Sequence, residues 1–269
     1  MKIFDMHIHV GNDTRAEDVI AFLNSAGIDK AAILGVDHGH AGVLRKTKVY
    51  DDSLLRIVSE SCGRIVGISA ISAETEGDKA AIFEKALDRG LLGLKLYPHS
   101  GFYPDDERLN EVYEIASERN APVLIHTGIK AQIYQRMIFN NPTRVDEVAT
   151  RFPNLKIIIM HAGYPWLNEA LCVSRLNPNV YIDLTFLDVL EYTFEEGLLE
   201  SVVKRFSRVL GAEKIVWGSE GEHLDLPAYR DDGIDRVKKC IEKILGFNFL
   251  KETEKENILY NNAARLLGL

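Results

Sequence analysis

Residues 2–9 read KIFDMHIH and form a short apolar run of strand length that ends in two histidines. Because side chains two positions apart on a strand point to the same face, Asp5, His7 and His9 are predicted to share one face. Seven more runs rich in Ile, Val and Leu follow at 30–36, 64–71, 91–97, 122–126, 156–161, 180–185 and 214–218. Such near-continuous apolar runs are typical of strands that are buried on both faces.

Longer stretches with helical character separate these runs. The first, residues 14–26, opens with a Thr-x-x-Glu capping box at Thr14 and Glu17 and stops at Gly27. A long stretch at 187–210 is predicted to break near Gly197. The others cover residues 51–62, 78–89, 105–119, 142–151, 165–175 and 231–245, and an extra C-terminal helix is predicted at 252–269.

The alternation of strand and helix, repeated eight times, predicts an α/β protein with a parallel sheet. Right-handed crossovers can close eight such units into a (β/α)8 TIM barrel, and the 269-residue chain is close to the length of a bare barrel, roughly 250 residues. We therefore predict a single barrel domain over residues 1–269 with an extra C-terminal helix. The alternative, an open doubly wound sheet, would favour a glycine-rich phosphate turn after the first strand, where this chain has HIHVGND.

The composition limits the classes of function. The formal net charge of −8 argues against nucleic-acid binding, which typically uses a basic patch. Cys62, Cys172 and Cys240 form no close-spaced pair, so we expect reduced thiols rather than a disulfide framework. No signal peptide and no apolar run near the ~20 residues of a membrane helix is visible. We expect a soluble cytoplasmic protein with a small-molecule substrate and no membrane partner, and we leave a homodimer open.

All eight histidines end or follow a predicted strand, and none falls in a predicted helix. In a barrel the carboxyl ends of the strands form the face that carries the active site, so the histidines are predicted to gather there. They are His7 and His9 on the first run, His38 and His40 after the second, His99 after the fourth, His126 and His161 at the ends of the fifth and sixth, and His223 after the eighth.

The spacing of His7 and His9 predicts a metal site, because two imidazoles on one rigid strand are preorganised ligands. His126 and Glu220 are placed to add a third nitrogen and a carboxylate, which leaves one coordination position for water. A catalytic metal lowers the pKa of bound water from ~15.7 to about 7. The alternatives are that the His-x-His pair arises by chance, and that Asp183 is only an interior hydrogen-bonded acid.

Six motifs, taken together, resemble those of a known superfamily. They are DMHIHVG (5–11), GLKLYP (93–98), PVLIHTG (122–128), IIIMHAGYP (157–165), WGSE (217–220) and ILYNNAARLLGL (258–269). The chain is similar to the amidohydrolase superfamily, within its branch of single-domain barrels that includes aminocarboxymuconate-semialdehyde decarboxylase and related lactonases. The resemblance runs nearly end to end, and the combined motifs are far more specific than any one of them.

The resemblance implies a mononuclear site in which His7, His9 and His126 ligate one divalent metal. It also implies that His161 polarises the substrate or orients the water, and that the acid on the eighth strand accepts the proton of the water and touches the metal. Zinc suits these ligands, with manganese, iron or cobalt as alternatives. The family has aspartate where this chain has Glu220, so the backbone or the metal must sit differently.

We therefore predict a metal-dependent hydrolase that uses a metal-activated water to cleave a C–O or C–N bond of a lactone, amide or cyclic acid. Its catalytic residues are Glu220 and His161, and its metal ligands are His7, His9, His126 and Glu220. The predicted substrate-binding residues are Lys95, Tyr97, His99 and Arg45. Lys95 has three other interpretations: a buried lysine paired with a carboxylate, a plain lysine beside one metal, or a carboxylated lysine that bridges two.

Three alternatives remain at this stage. A non-oxidative decarboxylase on the same scaffold is indicated by Arg45, Lys130 and Arg136, which lie in loops and could hold a carboxylate. A metal-binding barrel that has lost catalysis is indicated by Glu220 in the place of aspartate. A nuclease barrel is disfavoured, because it would need a glutamate where this chain has Lys95 and because the acidic chain repels nucleic acid.

Overall fold

The computed structural model describes residues 1–37, 48–130, 135–221 and 233–269. Ten strands occur in these ranges, and eight of them form one parallel sheet in the order β1-β2-β5-β6-β7-β8-β9-β10. The strands are β1 (Phe4–His9), β2 (Lys30–Leu34), β3 (Val36–Asp37), β4 (Lys48–Val49), β5 (Ile65–Ala70), β6 (Leu94–Leu96), β7 (Val123–Ile125), β8 (Ile157–Ile159), β9 (Val180–Asp183) and β10 (Ile215–Val216).

The seam between β10 and β1 nearly closes this sheet. The backbone N–H of Met6 donates to the carbonyl of Trp217 at 3.0 Å, and Ile8 forms a parallel bridge with Glu220 just beyond β10. Helices connect the strands on the outside, as a right-handed crossover requires. The predicted (β/α)8 barrel is therefore confirmed, and Glu220 lies at the seam, beside the end of β1.

Eleven α-helices occur in the described ranges. They are α1 (Ala16–Ala26), α2 (Asp51–Glu60), α3 (Lys79–Asp88), α4 (Asn110–Glu118), α5 (Thr143–Arg151), α6 (Leu167–Leu176), α7 (Leu187–Thr193), α8 (Leu198–Leu210), α9 (Gly233–Leu245), α10 (Glu252–Glu256) and α11 (Asn262–Leu266). The predicted break at Gly197 is confirmed, because Gly197 has φ 77° between α7 and α8. One wider turn, Asn257–Asn261, joins α10 to α11 in the predicted C-terminal helix. In these ranges no helix combines the length and the apolar composition needed to cross a bilayer.

Two local predictions were wrong. The capping box does not form, since α1 begins after Arg15 without a side-chain cap and the Thr14 hydroxyl instead accepts from the backbone N–H of Gly11 at 2.8 Å. The hydroxyl is therefore engaged by the turn that precedes the helix and does not cap the helix. Val36 does not extend β2, because it belongs to β3, which pairs antiparallel with β4 beside the barrel. A hairpin of two-residue strands carries too little pattern to be seen in a sequence.

Two apolar layers hold the barrel together. Alternate residues of β2 divide between them: Ala31 and Ile33 pack with the helices, whereas Ala32 and Leu34 belong to the cluster inside the barrel. Residues of the C-terminal helix, Leu266 among them, join the inner cluster. This apolar interior lies below a layer of polar side chains at the carboxyl ends of the strands.

Candidate active site

His7, His9 and Glu220 form a compact group of potential metal ligands. The Nε2 atoms of the two histidines lie 3.1 Å apart, and the Glu220 carboxylate lies 3.4 Å from each of them. Within the described part of the chain, His7, His9 and Glu220 form the one group of three potential ligands whose ligand atoms all lie within 4.8 Å of one another. Ligands bound tetrahedrally to one zinc at ~2.0–2.2 Å lie about 3.3 Å from each other. The observed spacing therefore fits a shared divalent cation.

The tautomer of His7 is set by Asp183. Its Nδ1 lies 3.3 Å from Asp183 Oδ2, and because a carboxylate only accepts, Nδ1 carries the proton and donates. The lone pair of His7 then lies on Nε2, which faces Glu220 Oε2 at 3.4 Å. Among the described residues that oxygen is buried without a hydrogen-bond partner. Two acceptors face each other here, which is the arrangement of a metal site held by an outer carboxylate.

His126 and His161 form a second pair of imidazoles with the same polarity. His126 Nε2 donates to the carbonyl of Ile129 at 2.8 Å, and His161 Nδ1 donates to the carbonyl of Thr185 at 3.0 Å. Both lone pairs consequently point inward, and His126 Nδ1 lies 3.3 Å from His161 Nε2. His161 also connects the two groups, since its Nδ1 is 3.9 Å from Glu220 Oε2.

Burial keeps these imidazoles neutral. It lowers the pKa of His7 to about 3, with the charge of Lys95 as the next cause. Burial also lowers the pKa of His126 and of His161. For Glu220, burial opposes ionisation, but the surrounding histidines, with a hydrogen bond from His9 among their contributions, outweigh it and hold its pKa well below the ordinary value. Neutral imidazoles beside an ionised carboxylate are the protonation states that bind a metal.

Lys95 lies on β6 and is fully buried. Its Nζ has no hydrogen-bond partner within the described ranges, and no carboxylate there comes within ion-pair distance of it. Burial lowers its pKa to about 8, against the raising effect of Glu220 and Asp183. The structure therefore does not support the interpretation of Lys95 as half of a structural ion pair.

The other predicted substrate-binding residues are only partly covered by the structure. Tyr97 stacks near His126 with ring centroids 6.3 Å apart, and its hydroxyl donates to the carbonyl of Gly35 at 2.8 Å. His99 lies edge to face against His126, with centroids 4.4 Å apart. Arg136 packs its guanidinium 5.0 Å from the ring centroid of Phe139. Arg45 and the histidines at 38, 40 and 223 lie outside the described residues.

Sequence reasoning missed two features of this site. Asp183 is an interior hydrogen-bonded acid, as one interpretation of the sequence held, but its partner, the His7 imidazole, was not predicted. Asn140 was not predicted at all, yet its side-chain amide lies 3.3 Å from His99 Nδ1. Nothing in the sequence distinguishes Asn140 from other loop asparagines.

Backbone strain is concentrated around the same site. His161, Ala162, Phe186 and Glu220 adopt positive φ values of 56°, 47°, 72° and 72° at the ends of three neighbouring strands. Residues other than glycine pay about 1–3 kcal/mol for such conformations, which persist mainly where a function requires them. The backbone itself turns His161 and Glu220 towards the other polar side chains.

Asp5 has a different place from the one predicted. The register between β1 and β2 shifts between Asp5 and Ile8, so the simple alternation along β1 is interrupted. Asp5 Oδ1 accepts from the backbone N–H of His7 at 3.0 Å and of Ser219 at 2.9 Å. The fully buried carboxyl thus ties β1 to the segment that carries Glu220, and burial raises its pKa to about 7.

This pKa predicts a pH-dependent effect of the Asp5→Asn substitution. The folded protein keeps the proton of Asp5 up to about pH 7, whereas the unfolded chain loses it near pH 3.8, so wild-type stability falls as the pH rises between these values. Asparagine keeps the acceptor oxygen and does not titrate. In urea unfolding, the free energy of unfolding of Asp5→Asn relative to that of the wild type should rise from pH 4 to pH 7, by up to about 4 kcal/mol. A difference that is equal at both pH values would contradict this expectation.

Comparison with known proteins indicates the family of the chain. A model of the Amidohydrolase family matches residues 4–269. The chain is 26% identical over 256 aligned positions to 2-amino-3-carboxymuconate-6-semialdehyde decarboxylase from Dictyostelium discoideum, a match that covers 81% of this chain and 65% of the decarboxylase. The chain spans less than two thirds of the length of the curated relatives it matches.

Solved structures show the same fold at low sequence identity. The uncharacterised TIM-barrel protein Bb4693 from Bordetella bronchiseptica has a TM-score of 0.79 at 19% identity, over 100% of this chain and 99% of that one. An amidohydrolase from Burkholderia multivorans, solved with bound zinc, has a TM-score of 0.63 at 14% identity over the full length of both chains. With the family match over residues 4–269, the conclusion follows that the chain belongs to the Amidohydrolase family.

Proposed function

We propose that this protein is a metal-dependent hydrolase that cleaves a C–O or C–N bond of a small molecule such as a lactone, an amide or a cyclic acid. The observation that carries the proposal is the group of His7, His9 and Glu220, whose potential ligand atoms lie 3.1–3.4 Å from one another. Family membership adds that hydrolysis and decarboxylation are the reaction classes to consider.

The residues of the site would hold one divalent metal through His7, His9 and Glu220, with His126 as the further nitrogen ligand. Zinc is the first candidate because imidazole and carboxylate suit it, and because one fold neighbour was solved with bound zinc. Manganese, iron and cobalt suit the same donors. When bound, such an ion acts as a Lewis acid and lowers the pKa of a water molecule.

The protein's own residues would then move the protons. Glu220 is ionised and lies 3.4 Å from both imidazoles, so it is placed to accept a proton from the attacking water. His161 presents a lone pair at Nε2 in the tautomer that its contact with the Thr185 carbonyl implies, and it can stabilise developing negative charge only after a proton reaches that atom. The buried ammonium of Lys95 would attract an anionic oxygen of the substrate, with Tyr97 and His99 as walls and Arg45 as a further anchor.

The first test is the metal content of protein purified without added metal or a histidine tag. We expect about one equivalent per chain, with turnover of members of a lactone and amide panel that a chelator abolishes and zinc restores. His9→Gln should lower the metal content, while Asn141→Asp on the rim should not. A chain that binds no metal after incubation with zinc or manganese would contradict the proposal. Two equivalents would place a second ion between His126 and His161 and imply a carboxylated Lys95.

A decarboxylase is the second candidate, and the match to a decarboxylase over 81% of this chain favours it. The buried ammonium of Lys95 could hold a carboxylate or the charge left behind when carbon dioxide departs. Release of carbon dioxide from 2-hydroxy- or amino-aromatic acids, without a hydrolysis product, would select this reaction. The third candidate, a barrel that binds metal without catalysis, would show bound metal but no turnover of any panel compound.

A further inference from the structure

The backbone on either side of Glu220 is held by several side chains. The N–H of Ser219 donates to Asp5 Oδ1 at 2.9 Å, and the N–H of Gly221 donates to the Ser219 hydroxyl at 2.8 Å. The carbonyl of Ser219 has a partner from outside the barrel sheet, because Nη2 of Arg236 on α9 donates to it at 2.9 Å. A helix that follows Glu220 in the chain therefore returns to hold the peptide group that precedes it.

Arg236 is itself held by an acid on another helix. Its Nη1 donates to Oδ2 of Asp188 on α7, and the two side chains are only 22% and 16% exposed. A guanidinium carries its donors in one rigid plane, so one nitrogen can bind the carboxylate while the other binds the carbonyl of Ser219. The ion pair thus orients the nitrogen that reaches the backbone beside Glu220.

The helix α9 is attached to its surroundings at other points as well. Trp217 Nε1 donates to Sγ of Cys240, which lies one helical turn after Arg236, at 3.4 Å. Further along the helix, Lys243 forms an ion pair with Glu191 of α7. These contacts should keep α9 in place when Arg236 is replaced, and they make Lys243 a matched control residue on the same pair of helices.

The hydrogen bond from Arg236 opposes a relaxation of Glu220. Glu220 has φ 72°, where a residue other than glycine is strained. If the chain keeps its path on both sides, a change to negative φ requires the planar peptide group between Ser219 and Glu220 to rotate. That rotation would carry the Ser219 carbonyl oxygen away from Nη2 of Arg236. The guanidinium therefore stabilises the peptide orientation that accompanies the positive φ.

We propose that Arg236 is a positioning residue, which holds Glu220 in its strained backbone conformation and so keeps the carboxylate 3.4 Å from His7 and from His9. The part of this inference that concerns metal binding rests on the proposed function, because it takes Glu220 as a ligand. The part that concerns φ applies to the metal-free protein. Two helices outside the sheet thereby determine where the acid of the site lies.

The conformation of Glu220 is tested by NMR of chelator-treated protein. A positive φ brings the amide proton and the Hα proton of one residue close together, so Glu220 should show a strong NOE between them. We expect this NOE in the wild type and in Lys243→Met, and a weaker one in Arg236→Met, which has no donor. Arg236→Lys keeps a cation that pairs with Asp188 and should lose the NOE too, since an ammonium prefers the carboxylate to the carbonyl. A weak NOE in the wild type, or an unchanged NOE in either Arg236 variant, would overturn the proposal.

The stability of the chelator-treated proteins gives a second readout. In the wild type, Arg236→Met loses a hydrogen bond but allows Glu220 to relax, whereas Glu220→Gly has no strain to relieve. Arg236→Met should therefore lower the folding equilibrium constant about fivefold more in the Glu220→Gly background than in the wild type. Equal effects in the two backgrounds would overturn the proposal, because they would mean that Arg236 does not maintain the strain.

Zinc affinity tests the part that concerns the metal. Arg236→Met should bind zinc about 10–100-fold more weakly than the wild type, as expected when a group that orients a ligand is lost, and Lys243→Met should bind it as the wild type does. Wild-type zinc affinity in Arg236→Met would overturn this part. A wild type that binds no zinc would overturn the proposed function and this part with it, whereas the NOE and the stability measurements would still decide whether Arg236 holds Glu220.

Discussion

Replacing Glu220 by glycine should stabilise the backbone and at the same time destroy the proposed metal site. Glu220 has φ 72°, a conformation that costs a residue with a side chain about 1–3 kcal/mol and glycine almost nothing. The side chain also loses its contacts with His7 and His9 at 3.4 Å, so the gain in the backbone is measured against a variant that loses the same contacts. Zinc affinity should fall at least about a hundredfold, because a ligand counts for more than the outer partners whose loss costs 10–100-fold.

Glu220→Ala is the matched control for this experiment. Alanine removes the same carboxylate but keeps a Cβ at positive φ, so both variants should lose zinc while the glycine variant unfolds at a free energy about 1 kcal/mol higher than the alanine variant. Urea unfolding of the chelator-treated proteins measures the difference in stability, and competition titration with a zinc indicator measures the loss of zinc affinity. Equal stability of the two variants would show that the strain at Glu220 is relieved elsewhere, and unchanged zinc binding would remove Glu220 from the ligand set.

The barrel itself could be predicted from the sequence because its signal is local and repeated. Each apolar run is buried on both faces and each helix follows it, so eight weak signals support one architecture. The β3–β4 hairpin could not be predicted, since its two-residue strands carry no pattern. The failed capping box at Thr14 has another cause: the hydroxyl finds an earlier partner in Gly11, which only the path of the turn decides.

The candidate ligands could be predicted further than the groups that orient them. His7 and His9 follow from spacing on one strand, and both lie in the observed group. The sequence could not show whether the Glu220 carboxylate reaches the histidines, because its position depends on the positive φ of Glu220 and on the seam between β10 and β1. Asp183 lies 176 residues from His7 along the chain, so only the closed barrel brings the two together.

Asp183→Asn should disable the proposed metal site without replacing any of its proposed ligands. Asp183 Oδ1 accepts from the backbone N–H of Thr185 at 3.0 Å and from its hydroxyl, while Oδ2 accepts from His7 Nδ1 at 3.3 Å. The asparagine side chain has one acceptor oxygen and one NH2 donor group in place of the two acceptor oxygens of aspartate. If the oxygen stays with Thr185, the amide N–H faces His7, which must then move its proton from Nδ1 to Nε2. The lone pair that faces Glu220 is lost, and zinc should bind about 10–100-fold more weakly.

Thr185→Val separates this effect from simple damage around the buried acid. Valine removes the hydroxyl donor to Oδ1 but leaves Oδ2 and His7 as they are, so it should cost about 1 kcal/mol of stability and leave zinc affinity unchanged. The ¹⁵N spectrum of His7 in chelator-treated protein gives the direct readout. We expect a protonated Nδ1 in the wild type and in Thr185→Val, and a protonated Nε2 in Asp183→Asn. Wild-type zinc affinity in Asp183→Asn would contradict this account. It would mean that His7 keeps its proton on Nδ1 and its lone pair on Nε2 without the Asp183 carboxylate.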